Sequence, residues 1–151
     1  MLVAQSNLAI TYKELGRHEE ALRLNREVYS GFLRLNGEEY EGTVQAALNL
    51  STSLVNTSNF AEARAFTRKQ MKLATRVLGS DHRITLDFQW GYARAFTLDK
   101  DVSAEQLAKV ATTLEKTLKT AQRVLGREHP DTLNIGRELA IARREIALRG
   151  A

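Results

Sequence analysis

The sequence contains no cysteine and only one proline, and both shortages limit what the chain can do. Without cysteine it can form neither a disulfide framework nor a thiolate nucleophile. With one proline among 151 residues, long stretches are free to form uninterrupted helices. No apolar run approaches the roughly 20 residues that span a bilayer, and residues 1–6 lack the basic and apolar segments of a secretory signal. We therefore expect a helical protein of the cytoplasm with no membrane-embedded segment.

Motifs that carry catalysis or that bind metals and cofactors are also missing. The sequence has no P-loop, no dinucleotide-binding glycine pattern and no HExxH, and it shows no Ser/His/Asp or Cys/His arrangement. The three histidines, His18, His82 and His129, fall near predicted turns, where hydrogen bonding at a helix start is the expected role. We expect no enzyme activity, no metal and no cofactor.

Three near-copies of one phrase recur along the chain. RVLG ends at Gly79 and again at Gly126, and a weaker copy, RLNG, ends at Gly37. The glycines lie 42 and 47 residues apart, and a threonine follows each glycine six residues later. Self-similarity at such a period is typical of stacked repeats of short structural units. An array of this kind offers a continuous surface rather than a single catalytic cleft.

The spacing of apolar residues predicts two helices in each unit. Leu8, Ala9 and Tyr12 share one face of the first helix, and the second helix carries a buried stripe that includes Ala21 and Val28. No segment alternates convincingly with a period of two residues, so we expect no sheet. The predicted helices cover residues 2–15, 17–36, 41–57, 60–78, 82–98, 104–125 and 130–149.

Local signals at the ends of the predicted helices support these bounds. Gly16 suits the left-handed residue that follows a helix. Asn59 and Ser103 are candidate N-caps of the second helices in the later units, and Gln106 completes a capping box with Ser103. Pro130 suits the first position of the last helix.

Two stretches carry a family resemblance: NLAITYKELGRHEEAL at residues 7–22 and RVLGREHPDTL at residues 123–133. They resemble the tetratricopeptide repeats of the kinesin light chain type, whose units are longer than the usual ~34 residues. The resemblance extends over essentially the whole chain and implies an all-α, right-handed superhelical solenoid of about three and a half helix pairs. Its repeats would cover about residues 2–42, 43–84 and 85–131, with a C-terminal capping helix at 132–149.

The third unit departs most from the family pattern. Gly91 stands where the family has asparagine, and five extra residues lengthen the turn after Phe96, around Asp99 to Val102. At the other end of the array, Met1 stands where the later units have threonine, so that the chain begins inside a repeat. We expect the chain to be a fragment of a longer array.

The resemblance implies a non-enzymatic scaffold that binds an extended peptide or protein segment. In the family, the first helix of each pair lines the concave surface of the solenoid and supplies the contacts. An asparagine amide can both donate to and accept from a peptide backbone, and arginine suits carboxylates, so we expect an acidic ligand. The residues at these groove positions that we expect to bind the peptide are Asn7, Gln45, Asn49, Trp90, Arg94, Arg137 and Arg144.

Several of these residues also have a purely structural interpretation. Asn7 and Asn49 could serve only to bridge neighbouring helices. Trp90 could fill the gap that Gly91 leaves in its own helix. The arginines of the last helix could form a solvated face of a capping element.

The charge balance leaves a second class of function open. The net charge is +4 and the isoelectric point is about 9.6. Basic residues recur at helical spacing on the second helices of units two and three, and such a stripe can track phosphates. No aromatic platform is interleaved with them and 18 acidic residues dilute them, so nucleic acid is the weaker candidate. These basic residues are Arg64, Arg68, Lys69, Lys72, Arg76, Lys109, Lys116, Lys119 and Arg123.

A third class of function is purely structural. The first helix follows no complete repeat, so Leu2, Val3 and Ile10 would have no neighbouring unit to cover them. Two such ends could bury each other in a closed, two-fold arrangement without growing a fibre. We therefore expect weak self-association through the first helix.

Overall fold

The computed structural model describes residues 1–150, and these residues form seven α-helices and no strand. The all-α prediction is confirmed, and every observed helix end lies within one residue of its predicted position. The helices are α1 (Leu2–Glu14), α2 (His18–Asn36), α3 (Glu41–Asn56), α4 (Phe60–Leu78), α5 (Arg83–Thr97), α6 (Ala104–Val124) and α7 (Pro130–Gly150).

The helices stack as successive pairs. Each helix packs on the next one along the chain, and α5 also packs on α3 and α7. The core follows this stacking. One buried cluster around Leu50 and Leu54 joins α2, α3 and α4, and another around Leu86 and Ile135 joins α5, α6 and α7. Each pair therefore shares its buried face with the next pair, as a helical repeat array requires.

The repeated glycine phrase marks the turn after each second helix. Gly37, Gly79 and Gly126 have φ angles of 83°, 95° and 96°, in the left-handed region that favours glycine. The threonine six residues later is buried in all three units. Its hydroxyl closes the turn in two of them, because Thr85 donates to the Gly79 carbonyl at 2.8 Å and Thr132 donates to a carbonyl of α6 at 3.4 Å.

The predicted signals at the helix starts have different outcomes. The capping box of Ser103 and Gln106 is present with both of its hydrogen bonds, and Pro130 begins α7. Asn59 stands at the N-cap position of α4, but its side chain makes no capping hydrogen bond. Its Nδ2 instead donates to the hydroxyl of Thr57 at 2.6 Å. A nearer acceptor in the preceding turn therefore takes the side chain that we expected at the cap.

Two of the histidines hold helix starts, as predicted. Nδ1 of His82 accepts from the backbone amide of Ile84 at 3.1 Å, and Nδ1 of His129 accepts from that of Asp131 at the same distance. Each ring satisfies one of the amide groups that the first turn of a helix leaves without a partner.

The lengthened turn between α5 and α6 is held by two arginines. Arg64 of α4 donates to Oδ2 of Asp99 at 2.8 Å, and Arg149 of α7 donates to the carbonyls of Asp99 and Val102, both at 2.7 Å. The Arg149 side chain is only 16% exposed, and Val102 is buried. Arg149 therefore belongs to a tertiary contact rather than to the solvated face of a cap.

Candidate peptide-binding face

The first helices of the pairs, α1, α3, α5 and α7, carry all of the predicted binding residues. Of these helices, α3, α5 and α7 lie side by side, and α1 packs on α2. Residues one or two turns apart share one face of a helix, as Trp90 and Arg94 do on α5 and Arg137 and Arg144 do on α7. We call the surface carrying the following residues the first-helix face: Asn7, Gln45, Asn49, Trp90, Arg94, Arg137 and Arg144.

The amide residues of this face lie on α1 and α3. Asn7 is exposed. Gln45 is exposed and donates from Nε2 to Oδ1 of Asn49 at 3.2 Å, while Asn49 itself is half-buried. The side-chain contact of Asn49 thus lies within α3. The bridge between α2 and α3 comes instead from Asn25, whose Nδ2 donates to the hydroxyl of Ser53 at 2.7 Å.

A small cavity separates α1 from α3 beside Asn49. Its volume is about 40 Å³, and its walls come from α1, α2 and α3. Ile10 and Lys13 line it on the α1 side, and Asn49 and Thr52 line it on the α3 side. Asn49 therefore faces an opening in the surface rather than a filled contact between helices.

Trp90 and Arg94 form a connected group with Glu138 of α7. The guanidinium of Arg94 lies 5.4 Å from the centre of the Trp90 ring, and its Nε lies 3.9 Å from Oε1 of Glu138. Glu138 is buried, and its Oε2 accepts from the hydroxyl of Thr97 at 2.6 Å. The charge of Arg94 is thus already matched by a carboxylate of the protein.

Trp90 packs into the core and leaves its indole N–H without a partner within residues 1–150. It is half-buried and packs against the core cluster of α5, α6 and α7. Its Nε1 is buried with no hydrogen-bond partner among the described residues. Buried donors are nearly always paired, so this unpaired indole N–H is unusual.

The arginines of α7 stand apart from this group. Arg137 is exposed and donates to Oδ1 of Asn134 at 3.0 Å, one turn earlier on the same helix. Arg144 is also exposed. Neighbouring Arg143 points to a different partner, because its guanidinium reaches Oε1 of Glu115 on α6 at 2.8 Å. Arg143 and Arg144 therefore point to different sides of α7, and of the two, Arg143 pairs with α6.

A pair of carboxylates that the sequence did not lead us to expect lies at the starts of α5 and α7. Nε of Arg83 lies 2.9 Å from Oδ2 of Asp131 and 3.7 Å from Oδ2 of Asp87. The side chain of Asp87 is only 11% exposed and that of Asp131 only 15%. Burial, and after it the neighbouring carboxylate of Asp131, raise the pKa of Asp87 to about 8. The sequence offered only a weak signal, because Asp131 lies in the first turn of α7 whereas Asp87 is the fifth residue of α5.

Other kinds of site find little support in the described part of the chain. Residues 1–150 hold no cluster of histidine, aspartate and glutamate side chains that is arranged around a metal position. Within the same range, no helix combines the length and the apolar character that crossing a membrane requires.

Comparison with known proteins identifies the family. Tetratricopeptide repeat models match residues 1–66 and residues 111–131, which together make up more than half of the chain. Crystal structures of a kinesin light chain-like protein of Podosopora anserina with nearly identical TPR-like repeats, and of its single-residue variant, each match with a TM-score of 0.60. Each is 20% identical, and each match covers 99% of this chain and 88% of the other.

These structural matches concern the fold alone, since the sequences share few residues. No curated protein matches the chain. The first family match covers α1 to α3, and the second covers most of α6 and its turn into α7. The chain belongs to the tetratricopeptide repeat family, and its all-α repeat fold is similar to that of kinesin light chain-like proteins.

Proposed function

We propose that the chain is a non-enzymatic scaffold module that binds an extended segment of a partner protein along the first-helix face. The repeat family and its fold support a protein-interaction module. The observation that supports this binding mode is the side-by-side packing of α3, α5 and α7, the helices that carry Asn49, Trp90 and the two exposed arginines. The lack of cysteine suits a reducing compartment, and we propose the cytoplasm.

The amides of α3 are suited to hold a peptide backbone. Asn49 is half-buried, and Gln45 restrains its side chain before any ligand arrives. A restrained group loses less conformational entropy when it binds. The cavity beside Asn49 leaves room for a ligand group to approach from the α1 side.

The arginines of α7 favour carboxylates in the ligand. The charge of Arg94 is matched by Glu138, so the charge available to a ligand comes from Arg137 and Arg144. These two residues lie seven positions apart, or about 10 Å along the helix. We propose that acidic side chains of the partner contact them.

A peptide array tests the charge preference. It presents short extended peptides in matched acidic, neutral and basic versions, and the bound chain is measured at several salt concentrations. Binding to acidic peptides should be preferred and should fall more steeply with salt than binding to neutral ones. Arg137→Ala and Arg144→Ala should each reduce it. The matched control is Arg143→Ala, because Arg143 pairs with Glu115 on α6.

Three results would contradict this proposal. These are preferential binding of basic peptides, a weak response to salt, and an equal loss with the Arg143→Ala control. Tight, salt-sensitive binding of single-stranded RNA, with no peptide retained, would favour the nucleic-acid alternative.

Weak self-association is a second proposal, and apolar side chains exposed on α1 favour it. Val3 is 67% exposed and Ile10 is 41% exposed. Leu2 behaves differently from what we expected, because its side chain lies against Gly31 of α2 and is only partly exposed. We propose that Val3 and Ile10 of two copies cover each other in a two-fold dimer.

A further inference from the structure

The second helices of successive pairs border two grooves that lie one repeat apart. The first groove lies between α2 and α4 above α3, and its volume is about 450 Å³. The second groove lies between α4 and α6 above α5, and its volume is about 550 Å³. Equivalent positions of the repeat line both grooves, so the first groove is an internal reference for the second.

An ion pair bridges the first groove. Both terminal nitrogens of Arg26 on α2 donate to the carboxylate of Glu62 on α4, each at 2.8 Å. Beneath this pair, the rings of Tyr29 and Phe66 meet edge to face with their centres 5.3 Å apart. A charge pair of the protein itself therefore spans the first groove, and aromatic side chains line it.

The second groove has cations at both of the bridging positions. Arg68 stands at the repeat position of Arg26, and Lys109 stands at that of Glu62. Two like charges cannot form the bridge, and Lys72 adds a third cation where the first groove has a serine. No aspartate or glutamate is among the described residues that line this groove.

The cations of the second groove have little compensation from elsewhere. Lys109 lies 3.7 Å from Glu105 of the same helix, but both side chains are largely exposed, and such pairs contribute little. Arg68 and Lys72 are exposed and form no salt bridge within residues 1–150. The groove therefore presents an uncompensated positive rim.

The floor of the second groove is apolar. Tyr92 and Phe96 of α5 meet edge to face with their ring centres 5.0 Å apart, and Met71 lies beside them. The position of Phe66 in the first groove is taken here by a smaller side chain, Thr113. The basic stripe of α4 and α6 thus has an aromatic floor after all, which α5 supplies and which the sequence of the second helices alone does not reveal.

We propose that this second groove binds a peptide segment of a partner protein that presents a large apolar side chain flanked by carboxylates. The apolar side chain would lie on Tyr92, Phe96 and Met71, and the carboxylates would meet Arg68, Lys72 and Lys109. Charge complementarity commits the site to an acidic ligand, and the apolar floor commits it to a ligand with an apolar anchor.

A peptide fits these features better than a nucleic acid or a lipid surface does. The two aromatic rings face each other edge-on, and Arg64 lies 5.2 Å from the centre of the Phe96 ring, so no row of free ring faces awaits stacked bases. A bilayer is flat and cannot enter a groove between two helices. A peptide side chain can.

This site is separate from the first-helix face. Tyr92 and Phe96 lie on nearly the opposite side of α5 from Trp90 and Arg94, as their spacing along the helix requires. The chain contains two methionines, Met1 and Met71, and one tryptophan, Trp90. Met71 therefore reports on the second groove, whereas Trp90 reports on the first-helix face.

The experiment uses the full chain labelled with carbon-13 at the methionine methyl groups. The probe is a synthetic peptide with leucine and phenylalanine between glutamates, and its controls replace the glutamates by lysine or the apolar residues by serine. The Met71 methyl resonance should shift and saturate with the acidic apolar probe, while the Met1 resonance, 95% exposed and far along the chain, stays in place. Neither control peptide should move Met71.

Three charge variants sharpen the test. Lys109→Glu recreates at the second groove the charge pair of the first groove, and it should weaken probe binding by about ten-fold or more while the helix content stays unchanged. Arg68→Glu should act in the same direction. Lys119→Glu is the matched control, because Lys119 is exposed on the same helix and does not line the groove, and it should bind the probe nearly as well as the native chain.

Several results would overturn the proposal. A Met71 resonance that stays unmoved at saturating probe, or that moves equally with the lysine peptide, would do so. So would a Lys109→Glu chain that binds as tightly as the native chain. A stronger Met71 shift with single-stranded RNA or with phosphatidylserine vesicles would replace the peptide by those ligands. A change confined to Trp90 fluorescence would support the first-helix face and reject the second groove.

Discussion

At the scale of single residues, one serine carries backbone strain that its repeat equivalent avoids. Gly16 and Ser58 occupy the same repeat position, in the turns after α1 and α3. Both have positive φ angles, 76° and 61°. A residue with a Cβ atom loses roughly 1 kcal/mol in this left-handed region, and glycine does not.

Ser58→Gly should therefore raise the free energy of unfolding by up to about 1 kcal/mol. The matched reverse change, Gly16→Ala, should lower it by a similar amount, because an added methyl group meets nothing within 4 Å and only the backbone strain remains. Urea denaturation followed by circular dichroism measures both. A destabilised Ser58→Gly chain would show that the serine side chain stabilises its turn.

Asp87 should make stability depend on pH. Burial and the neighbouring Asp131 raise its pKa from 3.8 to about 8, so between these values the folded chain keeps a proton that the unfolded chain has released. Stability therefore falls as the pH rises through this window. Asp87→Asn should remove most of that decline. Thermal unfolding of both chains across the window measures it, and parallel curves for the two would contradict the assignment.

At the scale of helices and turns, short-range sequence signals predicted where each helix begins and ends. The apolar spacing, the left-handed glycines and the capping box of Ser103 act within a few residues, and the helix ends follow from them to within one residue. Asn59 was misjudged because the hydroxyl of Thr57 competes for its amide. This competition depends on the geometry of the turn, which residue types alone do not give.

Contacts between units were harder to predict. The carboxylates of Asp87 and Asp131 meet only because α5 and α7 lie side by side, and the apolar floor of the second groove comes from α5 between two basic helices. The contact of Asn25 with Ser53 was not predicted. A polar residue within an apolar stripe indicates burial, but the sequence alone does not show which residue of the neighbouring helix it contacts.

The hydrogen bonds that Arg149 donates to the turn between α5 and α6 should stabilise the whole third unit. Arg149→Ala would remove the donor from two partly buried 2.7 Å hydrogen bonds and leave the carbonyls of Asp99 and Val102 without it. We expect a loss of about 1–3 kcal/mol in the free energy of unfolding, with faster amide exchange over residues 98–103.

The control for this change is Arg143→Ala, which breaks an exposed pair on the same helix and should cost less than about 1 kcal/mol. Equal losses in the two variants, or unchanged exchange in the turn, would show that Arg149 does not hold it.

At the scale of the whole molecule, the array has two sides with different chemistry. The first-helix face combines amides, an indole and arginines with a pair of aspartates. The side of the second helices has one groove bridged by an ion pair and one groove lined by cations that lack such a bridge. A repeat array can therefore change its binding properties from one unit to the next with a few substitutions while its stacking stays the same.

Self-association belongs to this scale as well. Replacing Val3 and Ile10 by serine should shift the equilibrium toward monomer, because both side chains are exposed and a second copy would cover them in the proposed dimer. Leu133→Ser is the control, since Leu133 is 41% exposed at the start of α7. Sedimentation equilibrium over a range of concentrations measures the effect. A native chain that remains strictly monomeric at high concentration would reject the proposed dimer.

The measurement that tests the central claim most directly is calorimetric titration of an array-selected peptide into the native chain and into Asn49→Ala. If a ligand lies along the first-helix face, Asn49→Ala should weaken binding by about five- to ten-fold, the value of one backbone hydrogen bond, with little change in stability. Leu50→Ala, one residue along, should instead cost about 2–5 kcal/mol of stability, because it truncates a buried side chain. Native affinity in a folded Asn49→Ala chain would contradict the claim.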